Sequence, residues 1–361
     1  MSRPFPFAPR HYESQLAAKT ARLRDLLSPY GAPEPRVFRS APSHFRMRAE
    51  FRLWHAGEDL FYAMFGADKK TPLRVVDFPP GSRRINELMP LLLAALRADE
   101  DLRRRLFQVE FLTTLSGEAL ITLVYHRPLD AAWEGAARGL AAGLGVQLVG
   151  RSRKQRLVVG RDYLTERLEV GGRDYVYRQL ENSFTQPNAH MNRRMLGWAR
   201  AAAGDPGGDL LELYCGNANF TAVLAPCFDR VLATEVSKTA VRAAAENLRA
   251  NGADNVRLAR LSSAEVAQAL RGERPFRRLP PDEIKAFDLR TLFVDPPRAG
   301  LDPETLGLAA GFGRVLYISC NPQALARDIG ALGCRIEQLA LFDQFPYTEH
   351  LECGALLVRA P

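Results

Sequence analysis

The chain holds 361 residues, 47% of them hydrophobic and 25% charged, with a net charge of +8. That length suits two domains with a core each, and no apolar run approaches the roughly 18 residues that span a bilayer. Its five cysteines (215, 227, 320, 334, 353) are scattered and include no Cys-x-x-Cys pair. This argues against a disulfide framework, a zinc site or an iron–sulfur cluster, and for a reducing cytoplasm. The N-terminal Met-Ser-Arg-Pro-Phe-Pro lacks the apolar h-region of a secretory signal. Charge is uneven along the chain: residues 1–180 carry 29 Lys/Arg against 20 Asp/Glu, and residues 181–361 carry 20 against 21. A basic half beside a neutral one suggests a polyanion-binding module joined to something else. No long Lys-rich amphipathic helix accompanies it, which favours nucleic acid over a membrane surface.

Residues 11–29 read as an amphipathic helix, with Leu16, Ala17, Leu23 and Leu26 at helical spacing. From Phe45 the period becomes two: Phe45, Met47, Ala49, Phe51 and Leu53 share one strand face, and Arg46, Arg48, Glu50, Arg52 and Trp54 the other. Such arginines and a tryptophan suit phosphates and a stacked base, or simply a solvated face. Short strands follow at 60–65 and 73–78, then a helix from Ile85 to Leu102, broken or kinked at Pro90. A hairpin turns at Ser116-Gly117 between strands 107–112 and 119–125. A helix near 130–143 and strands near 146–149 and 156–160 complete this half, with Arg151-Ser-Arg-Lys-Gln-Arg156 as a second phosphate-contact candidate. The expected division is residues 1–180, a mixed α+β RNA-binding domain, and residues 181–361, a catalytic domain.

The second half alternates strand and helix signals, which predicts a parallel doubly wound sheet. Its seven strands fall near 210–213, 230–234, 255–258, 291–294, 315–319, 335–341 and 354–358. A small-residue turn, Tyr214-Cys-Gly-Asn-Ala-Asn-Phe220, follows the first strand, and Glu235 ends the second. A turn followed by an acid at that spacing suits a nucleoside. Gly-Asn-Ala-Asn is not Gly-x-Gly-x-x-Gly, so a ligand without a pyrophosphate, S-adenosylmethionine, fits better than NAD. Cys320 lies where the fifth strand runs out, and reads as a nucleophile or as a small core residue.

Five runs carry a resemblance: Asn182-Ser-Phe-Thr-Gln-Pro-Asn-Ala-His-Met-Asn192, Leu211–Phe220, Phe293-Val-Asp-Pro-Pro-Arg-Ala-Gly300, Ser319-Cys-Asn-Pro322 and Phe342–Gly354. Together with Phe45–Arg52 and Phe111–Leu115, they make the chain similar to the RNA 5-methyluridine methyltransferases over nearly its whole length. The match is nearest to the bacterial tRNA (uracil-5-)-methyltransferase branch. The resemblance implies a class I S-adenosylmethionine-dependent methyltransferase fold, a seven-stranded Rossmann-like sheet behind an N-terminal RNA-binding domain. It also implies a cofactor held by Gln186, Tyr214, Asn219, Glu235 and Asp295, with Cys320 as nucleophile and Glu352 as base. Cys215, Cys353 and His350 lie near the same motifs, and the family pattern selects Cys320 and Glu352 over them. Asp295 is also within the alternatives for a hydrogen bond to the uracil edge.

The implied substrate is uridine 54 in the T loop of tRNA, at the elbow, with other RNAs of T-loop-like structure as further partners. Arg48, Phe107 and His126 are the RNA-contact candidates, from charge, aromaticity and position. One departure stands out: Ala218 replaces the glycine usual in the family's cofactor turn, at a cost of about 1 kcal/mol if the position needs φ > 0. Three readings compete. A ribosomal RNA uracil-5-methyltransferase often carries an extra barrel or cysteine cluster, which is missing here. An amino-group methyltransferase would have an aromatic where Arg298 stands. An RNA-binding or tRNA-folding module would not need Cys320, Glu352 and Glu235 intact, although a folding role is compatible with methylation.

Overall fold

The structure, a computed structural model, describes residues 4–66 and 71–359. Two compact units emerge, neither contiguous in sequence. One comprises the segment up to Arg10, Ala41–Arg167 and Arg178–His190; the other comprises His11–Ser40, Leu168–Tyr177 and everything from Met191 onward. Helix α1 (Tyr12–Leu27) and strand β1 (Arg36–Phe38), near the N-terminus, thus belong to the second unit. No helix among the described residues is long and apolar enough to cross a membrane.

The first unit holds β2 (Arg48–Ala56), β3 (Asp59–Phe65), β4 (Pro72–Arg74), α2 (Arg83–Ala98), α3 (Glu100–Arg103), β5 (Leu106–Thr113), β6 (Ala119–Tyr125), α4 (Ala131–Leu144), β7 (Gln147–Ser152) and β8 (Gln155–Val159). Its seven-stranded sheet runs β4-β3-β2-β5-β6-β7-β8. The pairs are antiparallel except β6–β7, which α4 connects as a crossover. The alternation in β2 is realised as read: Ala49, Phe51 and Leu53 are buried, while Glu50 and Trp54 are exposed. α2 places Ile85, Leu88, Met89, Leu92 and Leu96 into the core at helical spacing. Of the break or kink expected at Pro90, the break does not occur: α2 runs through it to Ala98. Pro90 removes only one backbone donor, and five buried apolar side chains hold the helix across the loss. The interruption falls at Asp99, in an extended conformation, whose side chain caps α3 by accepting from the Leu102 amide at 3.1 Å.

β9 (Tyr163–Val170) and β10 (Arg173–Leu180) form a separate two-stranded hairpin, turning at Gly171-Gly172 with φ of 59° and 78°. The second unit then continues with α5 (Ala189–Ala203), β11 (Asp209–Leu213), α6 (Thr221–Leu224), β12 (Val231–Thr234), α7 (Lys238–Ala250), β13 (Val256–Ala259), α8 (Ser263–Leu270), α9 (Pro281–Lys285), β14 (Leu289–Val294), α10 (Pro303–Ala309), β15 (Arg314–Ser319), α11 (Pro322–Leu332), β16 (Arg335–Phe342) and β17 (Glu352–Val358). The seven strands read from the sequence are all present, and β1 adds an eighth beside β16, giving the order β1-β16-β17-β15-β14-β11-β12-β13. All neighbours are parallel except β17, which runs against both β15 and β16. β11 is buried at every residue and β15 at all but its first, as expected of strands covered on both faces. The chain winds outward from β11 to β13, then returns to β14 on the other side of β11. The crevice between those two carboxyl ends is the switch point at which doubly wound sheets bind ligands.

Within the first unit, Gly150 on β7 lies under the fully buried Trp133 of α4, and a Cβ there would sit 2.1 Å from the indole. Gly150→Ala is therefore expected to lower stability by about 1–3 kcal/mol through overpacking. Gly143→Ala, in open space on α4, should raise stability by about 0.5–1 kcal/mol. Urea unfolding of the two variants tests the pair: equal effects would show that the Trp133 contact is not what requires glycine.

Candidate active site

The carboxyl edge of the second unit's sheet collects the side chains singled out from its sequence. β15 ends at Ser319, whose hydroxyl accepts from the Asn321 amide at 3.1 Å. Asn321 caps α11, its side chain accepting from the Gln323 amide, with Pro322 at the first helical position. Ser-Cys-Asn-Pro is thus a strand end, a two-residue joint and a helix start, and Cys320 opens the joint. β17 returns antiparallel to β15, with Ser319 opposite Cys353. Their chain neighbours, Cys320 and Glu352, lie close enough that the Glu352 charge acts on the Cys320 thiol. The parallel β14 ends beside them in Asp295.

The electrostatics follow from this crowding. Burial pushes the Glu352 carboxyl well above the usual range, and Asp295 adds to the shift. Asp295 itself is pushed up to about 7 by burial. The Cys320 thiol is raised first by burial, then by the charges of Glu352 and Asp295, while Arg298 opposes all three effects on it. Among the motif cysteines, Cys215 and Cys353 are buried. Cys320 is half-buried and opens into a cavity of about 300 Å³ shared with Arg22, Arg298, Asn321, Glu349 and His350. His350 is exposed and accepts from the Arg298 guanidinium through Nδ1 at 2.8 Å, so that nitrogen is occupied.

The loop from Asp343 to Glu349, which delivers Glu352, is gripped by one face of α1. Lys19 Nζ pairs with Asp343 Oδ1 at 2.8 Å and donates to the Phe345 carbonyl at 2.9 Å. Gln15 accepts from the Tyr347 amide at 2.6 Å and donates to the Thr348 carbonyl, and Arg22 pairs with Glu349 at 3.1 Å. From the other side, the Asp343 amide donates to the Phe38 carbonyl, and the Ser40 hydroxyl to the Asp343 carbonyl. Sequence reasoning missed this clamp. Its signal was Lys19 itself, a charge within the apolar stripe between Leu16 and Leu23, and only 3% exposed.

On the cofactor side, Tyr214, Gly216 and Ala218 all take positive φ, at 61°, 57° and 64°. The condition attached to Ala218 is met: a fully buried alanine sits in the left-handed region, at about 1 kcal/mol. Glu235 accepts from the Gly216 amide at 3.1 Å and the Ser237 amide at 2.7 Å, which ties the turn to the end of β12. The Tyr214 hydroxyl donates to Ser263 Oγ at 2.9 Å, and Asn219 exchanges paired amide bonds, both 2.9 Å, with Asn192 of α5. Gln186 is half-buried and lies in the first unit. Glu212 is buried at the switch point, pushed up to about 8 by burial and by Asp295 against the opposing effect of Thr221, and its Oε2 has no close hydrogen-bond partner among the described residues. An orphaned acceptor and two crowded carboxyls fit a cationic ligand such as S-adenosylmethionine, with its ammonium and sulfonium. Asn192 and Glu212 extend the sequence-level set.

In the first unit, Phe107 and His126 stack with ring centres 4.0 Å apart, and the Arg52 guanidinium lies 3.6 Å above Phe107. With Trp54, Phe65 and Arg105 they line an open groove of about 690 Å³. Arg48 is directed elsewhere, donating to the Ser183 and Glu181 carbonyls. In the basic stretch, Arg151 and Arg156 are taken up by the buried Glu181.

A family model described as tRNA (Uracil-5-)-methyltransferase matches residues 11–360. A relative from Pseudomonas entomophila, named tRNA/tmRNA (uracil-C(5))-methyltransferase, is 59% identical over 356 residues, covering 98% of this chain and 99% of its own length. Another of the same name, from Azotobacter vinelandii, is 60% identical over 98% of each chain. Among solved structures, the Pyrococcus abyssi tRNA (uracil-54, C5)-methyltransferase in complex with S-adenosyl-L-homocysteine superposes with a TM-score of 0.73 at 21% identity. It covers 96% of this chain and 83% of that one.

Lys19→Met should leave Asp343 buried without its counter-charge and cost about 3–5 kcal/mol. Lys19→Met/Asp343→Leu should recover most of that loss, because two apolar residues can replace a buried pair at little cost. Chemical unfolding of both variants checks this: a double variant no more stable than the single one would remove the ion pair as the source of the effect.

Proposed function

The chain belongs to the tRNA (uracil-5-)-methyltransferase family, and we propose that it methylates carbon 5 of uridine 54 in the T loop of tRNA through a covalent Cys320 adduct. It is an S-adenosylmethionine-dependent tRNA uracil-C5 methyltransferase by that membership and by its fold. The observation that supports the mechanism is the convergence of Cys320, Glu352 and Asp295 beside the Ser319–Cys353 pair, near enough for both carboxyls to act on the thiol. Tyr214, Asn219, Glu235, Asp295 and Gln186 are the proposed cofactor residues, and Glu212 joins them through its unpartnered oxygen. When bound, S-adenosylmethionine supplies an electrophilic methyl group on a sulfonium.

The chain's own residues do the rest. Carbon 5 of uracil is a weak nucleophile, so Cys320, having given its proton to solvent, adds as the thiolate to carbon 6 and the displaced π pair moves to oxygen 4, making an enolate. Arg298, which lowers the thiol against burial, offsets the developing negative charge. The enolate leaves carbon 5 nucleophilic toward the methyl group that S-adenosylmethionine would supply when bound. Glu352 then takes the carbon 5 proton; the freed pair restores the double bond to carbon 6 and expels the thiolate. A carboxyl held high by burial binds that proton firmly.

The target base has to leave its stack to reach this cavity, at lower cost in a loop than in a duplex. We assign the grip on tRNA to the first unit, whose main span is Ala41–Arg167 rather than the whole of residues 1–180, with the Arg52–Phe107–His126 stack replacing lost base stacking. The relatives' names direct the reading to tRNA and tmRNA rather than ribosomal RNA. A separate tRNA-folding role would survive in Cys320→Ala and is tested by annealing with that variant.

With labelled S-adenosylmethionine and an unmodified tRNA transcript, 5-methyluridine is expected at T-loop position 54 by mass spectrometry. Methylation elsewhere would overturn the position. Cys320→Ala should form no covalent complex with 5-fluorouridine-substituted tRNA, and any adduct that persisted would exclude Cys320. Glu352→Gln should transfer one methyl group and accumulate the covalent RNA complex. In the wild type, adduct breakdown should rise with pH on a limb above the ordinary carboxylate range, since burial delays ionisation of Glu352; Glu352→Gln should lose that limb. Phe107→Ala should weaken tRNA binding by about 1–3 kcal/mol with kcat retained, and unchanged binding would remove Phe107 from the interface.

A further inference from the structure

The neutral average of the second half conceals a basic island. Residues 257–278 contain six arginines and two glutamates. Part of that charge is internally matched: Arg257 pairs with Glu283, and Arg271 with Glu273. Glu265 is committed to the capping box of α8, where it accepts from the Ser262 amide at 2.9 Å. Arg260, Arg274, Arg277 and Arg278 have no carboxylate partner among the described residues.

Two of these arginines are presented by a built feature. Phe276 and Leu279, 8% and 1% exposed, pair as an isolated antiparallel bridge, and the Leu279 amide donates to the Phe276 carbonyl at 3.0 Å. Arg277 and Arg278 occupy the two apex positions of the tight turn so closed, both exposed. The turn is anchored beyond its own bridge: Arg257 donates to the Arg278 carbonyl at 2.8 Å, and Arg278 to the Arg260 carbonyl at 3.3 Å, which fixes the turn beside edge strand β13. Under it lies a cavity of about 480 Å³ lined by Leu261, Glu265, Arg274, Phe276, Arg277 and Arg278.

The charge has no complement in the cofactor. S-adenosylmethionine bears no phosphate and a single carboxylate, too little to match four arginines, while its ammonium and sulfonium would suit the carboxyls of the switch point. The complement is a polyanion. Leu261 places the cavity in the loop after β13, on the same carboxyl edge of the sheet as Cys320. Four strand steps separate β15 from β13 in the sheet order, roughly 20 Å at about 4.8 Å per step. A nucleic-acid duplex crossing that distance carries on the order of ten phosphates.

We propose that the Arg277–Arg278 turn is a second RNA-backbone contact, carried by the catalytic unit itself and directed to phosphates outside the target loop. This rests on RNA being the substrate. It adds to the aromatic groove of the first unit an electrostatic hold that is blind to sequence.

The experiment compares full-length tRNA binding by the wild type and by Arg277→Ala/Arg278→Ala between 50 and 200 mM salt. Each lost phosphate contact removes about 0.7–0.9 from the slope of log K against log salt. The double variant is therefore expected to show a slope shallower by about 1.5, a KM for tRNA raised about tenfold and an unchanged kcat. S-adenosylmethionine binding by calorimetry should also be unchanged, which verifies the fold of the variant. An identical salt slope and tRNA affinity would overturn the assignment, whatever acidic partner the turn met instead. The binding readout needs no turnover. A shallower slope with an unmethylated T loop would retain this contact while the reading of the reaction fell, and normal methylation with an unaltered slope would do the reverse.

Discussion

The antiparallel placement of β17 between β15 and β16 is the constraint on which the catalytic edge depends. In an all-parallel sheet only strand ends reach the carboxyl edge, so every side chain there comes from a loop that has just left its strand. A reversed strand enters at that edge instead. Glu352 is the first residue of β17, paired with Phe342 on one side, and the next residue, Cys353, is paired with Ser319 on the other. Glu352 is thereby held by two ladders of backbone hydrogen bonds, while Cys320 sits on the two-residue joint between β15 and α11. A shift of one residue in the β15–β17 register would turn Glu352 to the opposite face of the sheet, since side chains alternate along a strand.

That edge is built against its own stability. Glu212, Asp295 and Glu352 are all pushed up by burial, Asp295 to about 7 and Glu212 to about 8. An unfolded carboxyl releases its proton near pH 4, so between pH 4 and 8 the native state binds more protons than the unfolded chain. Stability supplied by the protonated carboxyls is therefore lost as pH rises through their native values. The left-handed Ala218 and Tyr214 add local strain beside the same crevice. A cationic ligand reverses the sign of the electrostatic part: an ammonium and a sulfonium favour the ionised carboxyls that burial disfavours. A molecule that binds only the native state also stabilises it by mass action. Crowded acids are thus a liability in the empty cleft and complementary to the cofactor in the filled one.

What the sequence made legible follows from which signals are local. β11, β14 and β15 are covered on both faces, so each appears as an apolar run, and the chemistry-bearing residues follow at the ends of those runs. β1 could not be read this way. Three residues, Arg36–Phe38, carry no period, and their strand character comes from pairing with Ala340–Phe342. The β9–β10 hairpin did leave a signal, alternation around Gly171-Gly172, which a reading centred on the flanking motifs passed over. Lys19 marked its own importance by interrupting an apolar stripe, but its meaning needed Asp343, more than 300 residues away. Arg48 and Arg52 looked equivalent on one strand face. Only the fold separates the one that holds the Glu181–Ser183 backbone from the one that lies on Phe107.

The same long-range pairings set how the catalytic unit can be completed. α1 and β1 precede the first unit's sheet along the chain, yet β1 pairs with β16 and α1 grips the loop between β16 and β17, far downstream of that sheet. Between them the chain builds the first unit, a seven-stranded sheet whose hydrophobic core draws on Ala49 to Leu148. Closing a loop of that length is entropically dear and slow relative to local contacts, but an intervening folded unit shortens the effective loop by fixing the chain from residue 41 to 167. The buried Lys19–Asp343 pair forms only when both ends meet, and neither charge has a favourable place without the other. Assembly of the loop that leads to Glu352 is therefore coupled to docking of α1.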